Sequence, residues 1–199
     1  MFGMSNEEGT NALDLLKRDH QEVDKMFRQF EEIKDGASVD EKENLVTQIC
    51  DALTVHAQIE EQIFYPAARR ALGEQEGKDL LDEAAVEHQT LKDIIGRLEM
   101  APTSDPLYDA GVKVLSEYVK HHVREEETEL FPKVRASDMD LQAIGQQLEQ
   151  RKQQLEGEAS RSSRNGSHGR RSSRGRTMEG EQRGRDQGRE NEQRSRSTH

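Results

Sequence analysis

Cysteine occurs once in the chain, at Cys50, so neither an intrachain disulfide nor a thiolate-rich metal site is open to it. Tryptophan is absent, aromatic residues make up 4%, and there are only four prolines. No apolar run approaches the roughly 20 residues that a membrane-crossing helix needs, so no membrane partner is expected. The opening Met-Phe-Gly-Met-Ser-Asn-Glu-Glu has no basic stretch leading into an apolar one. No signal peptide is expected there, and a cytoplasmic location is the default. No stretch alternates apolar and polar residues with a period of two, which removes the basis for a sheet.

What is present is unevenly spread. The 199 residues are 31% hydrophobic and 35% charged, low and high for a fully globular chain. Residues 1–156 hold every aromatic and nearly all the aliphatics, whereas 157–199 hold only Ala159 and Met178 as apolar side chains. Up to Glu156 there are 18 Lys+Arg against 34 Asp+Glu; beyond it, 11 Arg against 6 acids. An acidic domain over 1–156, large enough for a single core, is expected to carry a basic tail over 157–199.

The domain reads as helices throughout. Leu13, Leu16, His20, Val23, Phe27 and Phe30 recur at steps of three and four behind the caps Thr10 or Asn11. Gly36 and Ser38 are expected to end this first helix. A second runs from about Asp40 with Leu45, Ile49, Leu53, His56 and Glu60 on its inner face, bent or ended by Pro66 and closed at Gly73. A third begins near Lys78 with Leu81, Ala84, His88, Leu91, Ile95 and Leu98 on one stripe. Pro102 and Pro106 bracket a loop before a fourth, carrying Val112, Leu115, Val119, His122, Glu126 and Leu130 and stopping near Pro132. Leu141, Ile144, Leu148 and Leu155 mark a short C-terminal helix.

Two stretches repeat each other. His56-Ala-Gln-Ile-Glu60-Glu-Gln-Ile-Phe-Tyr-Pro66 matches His122-Val-Arg-Glu-Glu126-Glu-Thr-Glu-Leu-Phe-Pro132. Asp19-His20-Gln21 likewise matches Glu87-His88-Gln89. The chain thus reads as two copies of an αα-hairpin, and the predicted fold is all-α: an up-down-up-down four-helix bundle with a short C-terminal helix and a disordered tail.

Each bundle helix places one histidine on its core stripe, and residues four apart share a helix face. His20, His56, His88 and His122, with Glu60 and Glu126, therefore converge on one core. Burying such groups without a partner costs several kcal/mol per ion, a large part of a domain's net stability of roughly 5–15 kcal/mol. A metal answers that cost; a network of acids and imidazoles is the alternative. Six ligands exceed one tetrahedral zinc and suit two ions. With Glu60 and Glu126 bridging, and an oxide or hydroxide between the ions, each would keep an open position, a donor set that suits iron.

The pattern His…His-x-x-x-Glu…His…His-x-x-x-Glu, with its flanking Glu-Glu and Phe/Tyr-Pro, resembles the hemerythrin-like HHE cation-binding domain over about residues 10–155. Ferritin-like bundles carry Glu-x-x-His instead. The resemblance implies iron ligands at His20, His56, Glu60, His88, His122 and Glu126. It also implies binding of, or reaction with, oxygen, peroxide or nitric oxide. Oxygen-carrying hemerythrins have a fifth histidine one turn along the third helix, where this chain has Ala84 and Lys92. That departure favours redox turnover or sensing over oxygen storage. An iron-binding or iron-sensing module without turnover is the alternative.

Neighbouring residues are assigned on the same grounds. Tyr118, one turn before His122, is read as a core tyrosine rather than a phenol at the metal. His121 is expected on the outer face, and Asp19 and Glu87, about 100° from the lone histidines, are expected to face solvent. Glu61 and Glu127 stand equally as partners of the imidazoles or as surface charge. Cys50 reads as a small buried residue. In the tail, Arg170-Arg171-Ser-Ser-Arg174-Gly-Arg176 permits nucleic-acid or other polyanion binding; lacking aromatics, it reads first as a solubilising segment.

Overall fold

Asn11 starts the first helix: its side chain accepts the Asp14 backbone N–H at 3.1 Å. The computed structural model describes residues 11–169, with the backbone alone at 74–76, 160 and 162–169. Helix α1 spans Ala12–Ile33. Ser38 begins the next helix rather than closing this one. It accepts from the Glu41 N–H while the Glu41 carboxylate accepts from the Ser38 N–H, a capping box worth about 1 kcal/mol. Helix α2 follows over Val39–Ile59.

Neither motif proline ends its helix. The chain widens into a π-turn at Glu60–Phe64, then continues as α3, Tyr65–Glu76, with Pro66 in its first turn. Proline has no N–H and crowds the carbonyl four residues back; a turn closed five residues apart avoids both difficulties. Gly73 breaks α3 as expected, at φ 69°, a conformation glycine adopts without strain. The second copy behaves alike. Helix α4 spans Lys78–Met100 and α5 spans Tyr108–Glu125. A π-turn at Glu126–Leu130 then leads into α6, Phe131–Ala136, past the expected stop at Pro132.

The two hairpins pack as an all-α bundle, with no strand among the described residues. Its core has two apolar layers. Leu13, Leu16, Ile59, Phe64, Phe131 and Leu148 fill one, and Phe27, Phe30, Ile49, Leu91 and Leu115 the other. Cys50 lies in the second layer, its thiol pushed up to about 12 by burial and by nearby Glu99 and Asp51, and so inert as a nucleophile.

The last helix departs most from expectation. Helix α7 covers Leu141–Gly169, 29 residues rather than a short piece, and passes the compositional boundary at Glu156. Leu148 and Leu155 anchor it in the core against α1 and α2. Composition alone did not mark this continuation, because Arg, Ser and Gly beyond Glu156 bring no apolar stripe. The Arg-rich stretch 170–176 and the rest of the tail lie outside the described residues.

Candidate metal centre

Between the two apolar layers lies a layer of charge. His20 and His88 sit in α1 and α4, while His56 and His122 occupy the last turns of α2 and α5. Glu60 and Glu126 open the two π-turns. All six predicted ligands are buried, Glu60 completely.

The four rings turn their Nε2 atoms toward one another in two pairs. His20 and His56 approach to 3.1 Å between Nε2 atoms, and His88 and His122 also to 3.1 Å. The carboxylates tie the pairs together. Glu60 lies 3.3 Å from His56 Nε2 through Oε1 and 3.4 Å from His88 Nε2 through Oε2. Glu126 Oε2 lies 3.3 Å from His20 Nε2 and 3.7 Å from His122 Nε2. Four groups (His20, His56, Glu60, Glu126) thus form one potential metal site, and Glu60, His88 and His122 a second that shares Glu60.

A further shell of carboxylates faces the other ring nitrogens. His20 Nδ1 is 2.8 Å from Glu127, His88 Nδ1 is 2.9 Å from Glu61, and His122 Nδ1 is 2.7 Å from Glu87. His56 Nδ1 faces Asp19 at 3.6 Å. An ionised carboxylate only accepts, so in the three close pairs Nδ1 donates, which leaves Nε2 of each ring to hold either a proton or a metal. Carboxylates that fix metal-binding imidazoles in this way are a recurrent second layer of metal sites.

Asp19 and Glu87 therefore correct the sequence reading. They are 5% and 8% exposed rather than solvent-facing. A rotation of 100° from the core stripe does not reach solvent when another helix packs there; it reaches the neighbouring helix's imidazole. Glu61 and Glu127, left open by the sequence, resolve as partners of His88 and His20.

Charge in this layer is strongly perturbed. Burial works against the charged form of His56, but Glu60 and Asp19 outweigh it and push the imidazole up to about 10. His122 behaves alike, raised to about 9 by Glu126 and Glu87 against the effect of burial. Burial also opposes ionisation of Glu60, yet the His56 and His88 rings hold it well below the ordinary carboxylate range.

The donor set fits cations. Two lone pairs facing each other at 3.1 Å repel unless a proton or metal lies between them. Both Glu60 oxygens and Glu126 Oε2 are buried with no hydrogen-bond donor. Such bare carboxylate oxygens cost several kcal/mol without a partner. Imidazole nitrogen and carboxylate oxygen converging from four helices are suitable ligands for iron, manganese or zinc.

One residue escaped the sequence reading. Tyr65 Oη donates to Glu126 Oε1 at 2.9 Å and lies 3.2 Å from His88 Nε2. Burial and the Glu126 and Glu60 carboxylates raise its phenol well above the usual value, so the hydroxyl keeps its proton. The counterpart Phe131 stacks on His20 at 6.0 Å. The signal was in the repeat: Tyr65 and Phe131 both stand five after the glutamate, and each π-turn is closed by their N–H on the glutamate carbonyl. Tyr118 is half-buried on a groove beside Glu87, with no hydrogen bond to the centre. His121 is exposed, as expected.

Comparison with known proteins places the chain in a family. The family description "Hemerythrin HHE cation binding domain" matches residues 11–134. A protein of Nostoc named DNA nickase is 30% identical over 131 residues, covering 66% of this chain but only 35% of that protein. The uncharacterized protein Rv2633c of Mycobacterium tuberculosis is 28% identical over 150 residues, covering 74% of this chain and 88% of its own. A crystal structure of a homologue of that protein from Mycobacterium kansasii, described as a hemerythrin HHE cation-binding domain-containing protein, superposes with a TM-score of 0.64. It is 26% identical and covers 77% of this chain and 92% of its own. With two histidine pairs and two buried glutamates on the matched helices, the chain belongs to the hemerythrin HHE cation-binding domain family.

Proposed function

We propose that this chain is a non-haem di-iron protein whose centre binds or reacts with oxygen, peroxide or nitric oxide, serving an oxygen or redox response in the cytoplasm. The observation that carries the reading is the pairing of Nε2 atoms at 3.1 Å beside glutamate oxygens that have no donor. His20 and His56 would hold one iron, His88 and His122 the other, and Glu60 and Glu126 would bridge them. Iron held by these residues would supply the electrons for reaction with a small ligand.

The chain's own residues define what reaches that position. A cavity of about 10 Å³ lies against the four rings, walled by Val23, Leu53, Leu91, Val119 and Val123. That is about the space of one water molecule, so only a very small ligand fits beside the rings without movement of the apolar wall. Tyr65 places an O–H at the opposite, Glu126 side, where it can hold a proton. Neither Ala84 nor Lys92 adds an imidazole: Ala84 is buried apolar surface, and Lys92 binds Glu61 at 2.6 Å.

The test is optical. After anaerobic ferrous loading, admission of air, peroxide or nitric oxide should produce new near-ultraviolet or visible bands. A spectrum that stays unchanged with all three ligands would reject the redox reading. A second reading, an iron-binding or iron-sensing module without turnover, is favoured by the contact of Lys152 on α7 with Asp19 at 2.6 Å, which links the centre to the C-terminal helix. Iron loading that raises the melting temperature without spectral change in air would favour it. Polyanion binding through the Arg-rich tail is a third proposal. Nucleic-acid affinity unchanged after removal of 157–199 would dismiss it.

A further inference from the structure

The two halves of the bundle differ at one matched place. Asp19 in the first repeat corresponds to Glu87 in the second, and each faces the imidazole of the following helix. In the first half the residues one position ahead of His56 and Glu60 are Val55 and Ile59, buried in the core. Lys152 of α7 reaches in and takes the spare oxygen of Asp19 at 2.6 Å. One positive charge therefore balances the carboxylate.

In the second half α7 is not there. The positions matching Val55 and Ile59 are His121 and Glu125, one residue ahead of the inner ligands His122 and Glu126. They repeat the four-residue spacing on the adjacent face of α5. Glu87 uses Oε2 for His122 Nδ1 at 2.7 Å and turns Oε1 to His121 Nε2 at 3.5 Å. Glu125 Oε1 approaches the same His121 nitrogen at 3.3 Å. The ligand atoms of Glu87, His121 and Glu125 lie within 4.8 Å of one another. Their side chains are 10%, 57% and 28% exposed respectively, and Glu87 and His121 line a groove together with Val86, Val114 and Tyr118.

We propose that Glu87, His121 and Glu125 form an outer divalent-cation site, separate from the inner centre but sharing Glu87 as its link to His122. One imidazole and two carboxylates, with the remaining positions open to water, suit Mn²⁺, Fe²⁺ or Zn²⁺. The cation supplies the positive charge that Lys152 supplies to Asp19 in the other half. Because it lies at the surface and one carboxylate away from His122, the site is placed to receive a metal ion before the inner centre does. The proposal rests on the inner-centre reading only for this last step.

The test uses the full chain, loaded anaerobically with ferrous iron, freed of excess and titrated with Mn²⁺ while the resonance of unbound Mn²⁺ is followed. The expected result is one additional Mn²⁺ per chain, lost in His121→Ala and in Glu125→Gln while the iron content of both variants equals that of the parent. Mn²⁺ uptake that is absent in the parent, or unchanged in both variants, overturns the proposal. The two readings fail separately. Without inner iron but with His121-dependent Mn²⁺ uptake, the outer site stands alone; with full iron and no such uptake, only the outer site falls. His20→Ala, which touches none of the three outer ligands, should lower iron content and leave the His121-dependent part of Mn²⁺ uptake in place.

Discussion

Lys152 Nζ lies 2.6 Å from Asp19 Oδ1, a contact between residues 133 positions apart that joins the last helix to the carboxylate behind His56. Burial resists ionisation of Asp19, but the His56 ring and Lys152 together hold it below the ordinary value. Lys152→Met removes the cation and leaves the carboxylate buried. The expected loss is about 1–3 kcal/mol in denaturant unfolding, below the full penalty for a broken buried pair because Lys152 is partly exposed. Asp19→Asn should instead weaken metal affinity, by about 10–100-fold, since it loosens the ring that Asp19 faces. A titration showing parent-like affinity in Asp19→Asn would remove Asp19 from the site.

Tyr65 and Tyr118 give opposite expectations for the same substitution. Tyr65→Phe keeps the ring but leaves Glu126 Oε1 without its donor, at a cost of about 1–2 kcal/mol in the metal-free protein. It should also shift the optical bands of the loaded centre. Tyr118→Phe touches no partner at the centre and should stay within about 0.5 kcal/mol of the parent. Equal effects of the two, measured by thermal unfolding and by spectrum, would contradict the placement of the phenol.

The metal-free protein should have an unusual pH profile. His56 at about 10 and His122 at about 9 are raised from 6.5, so their stabilising contribution is full below 6.5 and is lost as pH rises through those values. Glu60 is lowered from 4.5, so its contribution is present above 4.5 and is lost as pH falls through its depressed value. Chelator-treated protein should therefore melt highest between about pH 4.5 and 6.5 and lose stability toward pH 10. Metal competes for the same nitrogens, so loading near neutrality should release protons and tighten as pH rises. Melting curves of metal-free protein that climb steadily from pH 6.5 to 10 would contradict these charge states.

Much of this structure was legible because a helix repeats its faces. Spacings of three and four located the four bundle helices, and the doubled His-x-x-x-Glu, with the lone His20 and His88 on matching stripes, marked the six central residues. What the sequence obscured depended on neighbouring elements. Asp19 and Glu87 look solvent-facing on an isolated helix, and only the adjacent helices, whose His56 and His122 they face, make them buried. Pro66 and Pro132 look like terminators, yet a π-turn carries the helix through each of them and brings Tyr65 to the centre. The length of α7 had no apolar stripe to announce it beyond Leu155.

Counting metal in the parent and in Glu60→Ala tests the central claim most directly. Glu60 is wholly buried, and its two oxygens lie 3.3 and 3.4 Å from imidazoles of different pairs. The expected result after anaerobic loading is two irons per chain in the parent and fewer than two in the variant, with helical content unchanged by circular dichroism. A folded Glu60→Ala that keeps both irons, or a parent that takes up none, would contradict a shared two-metal centre.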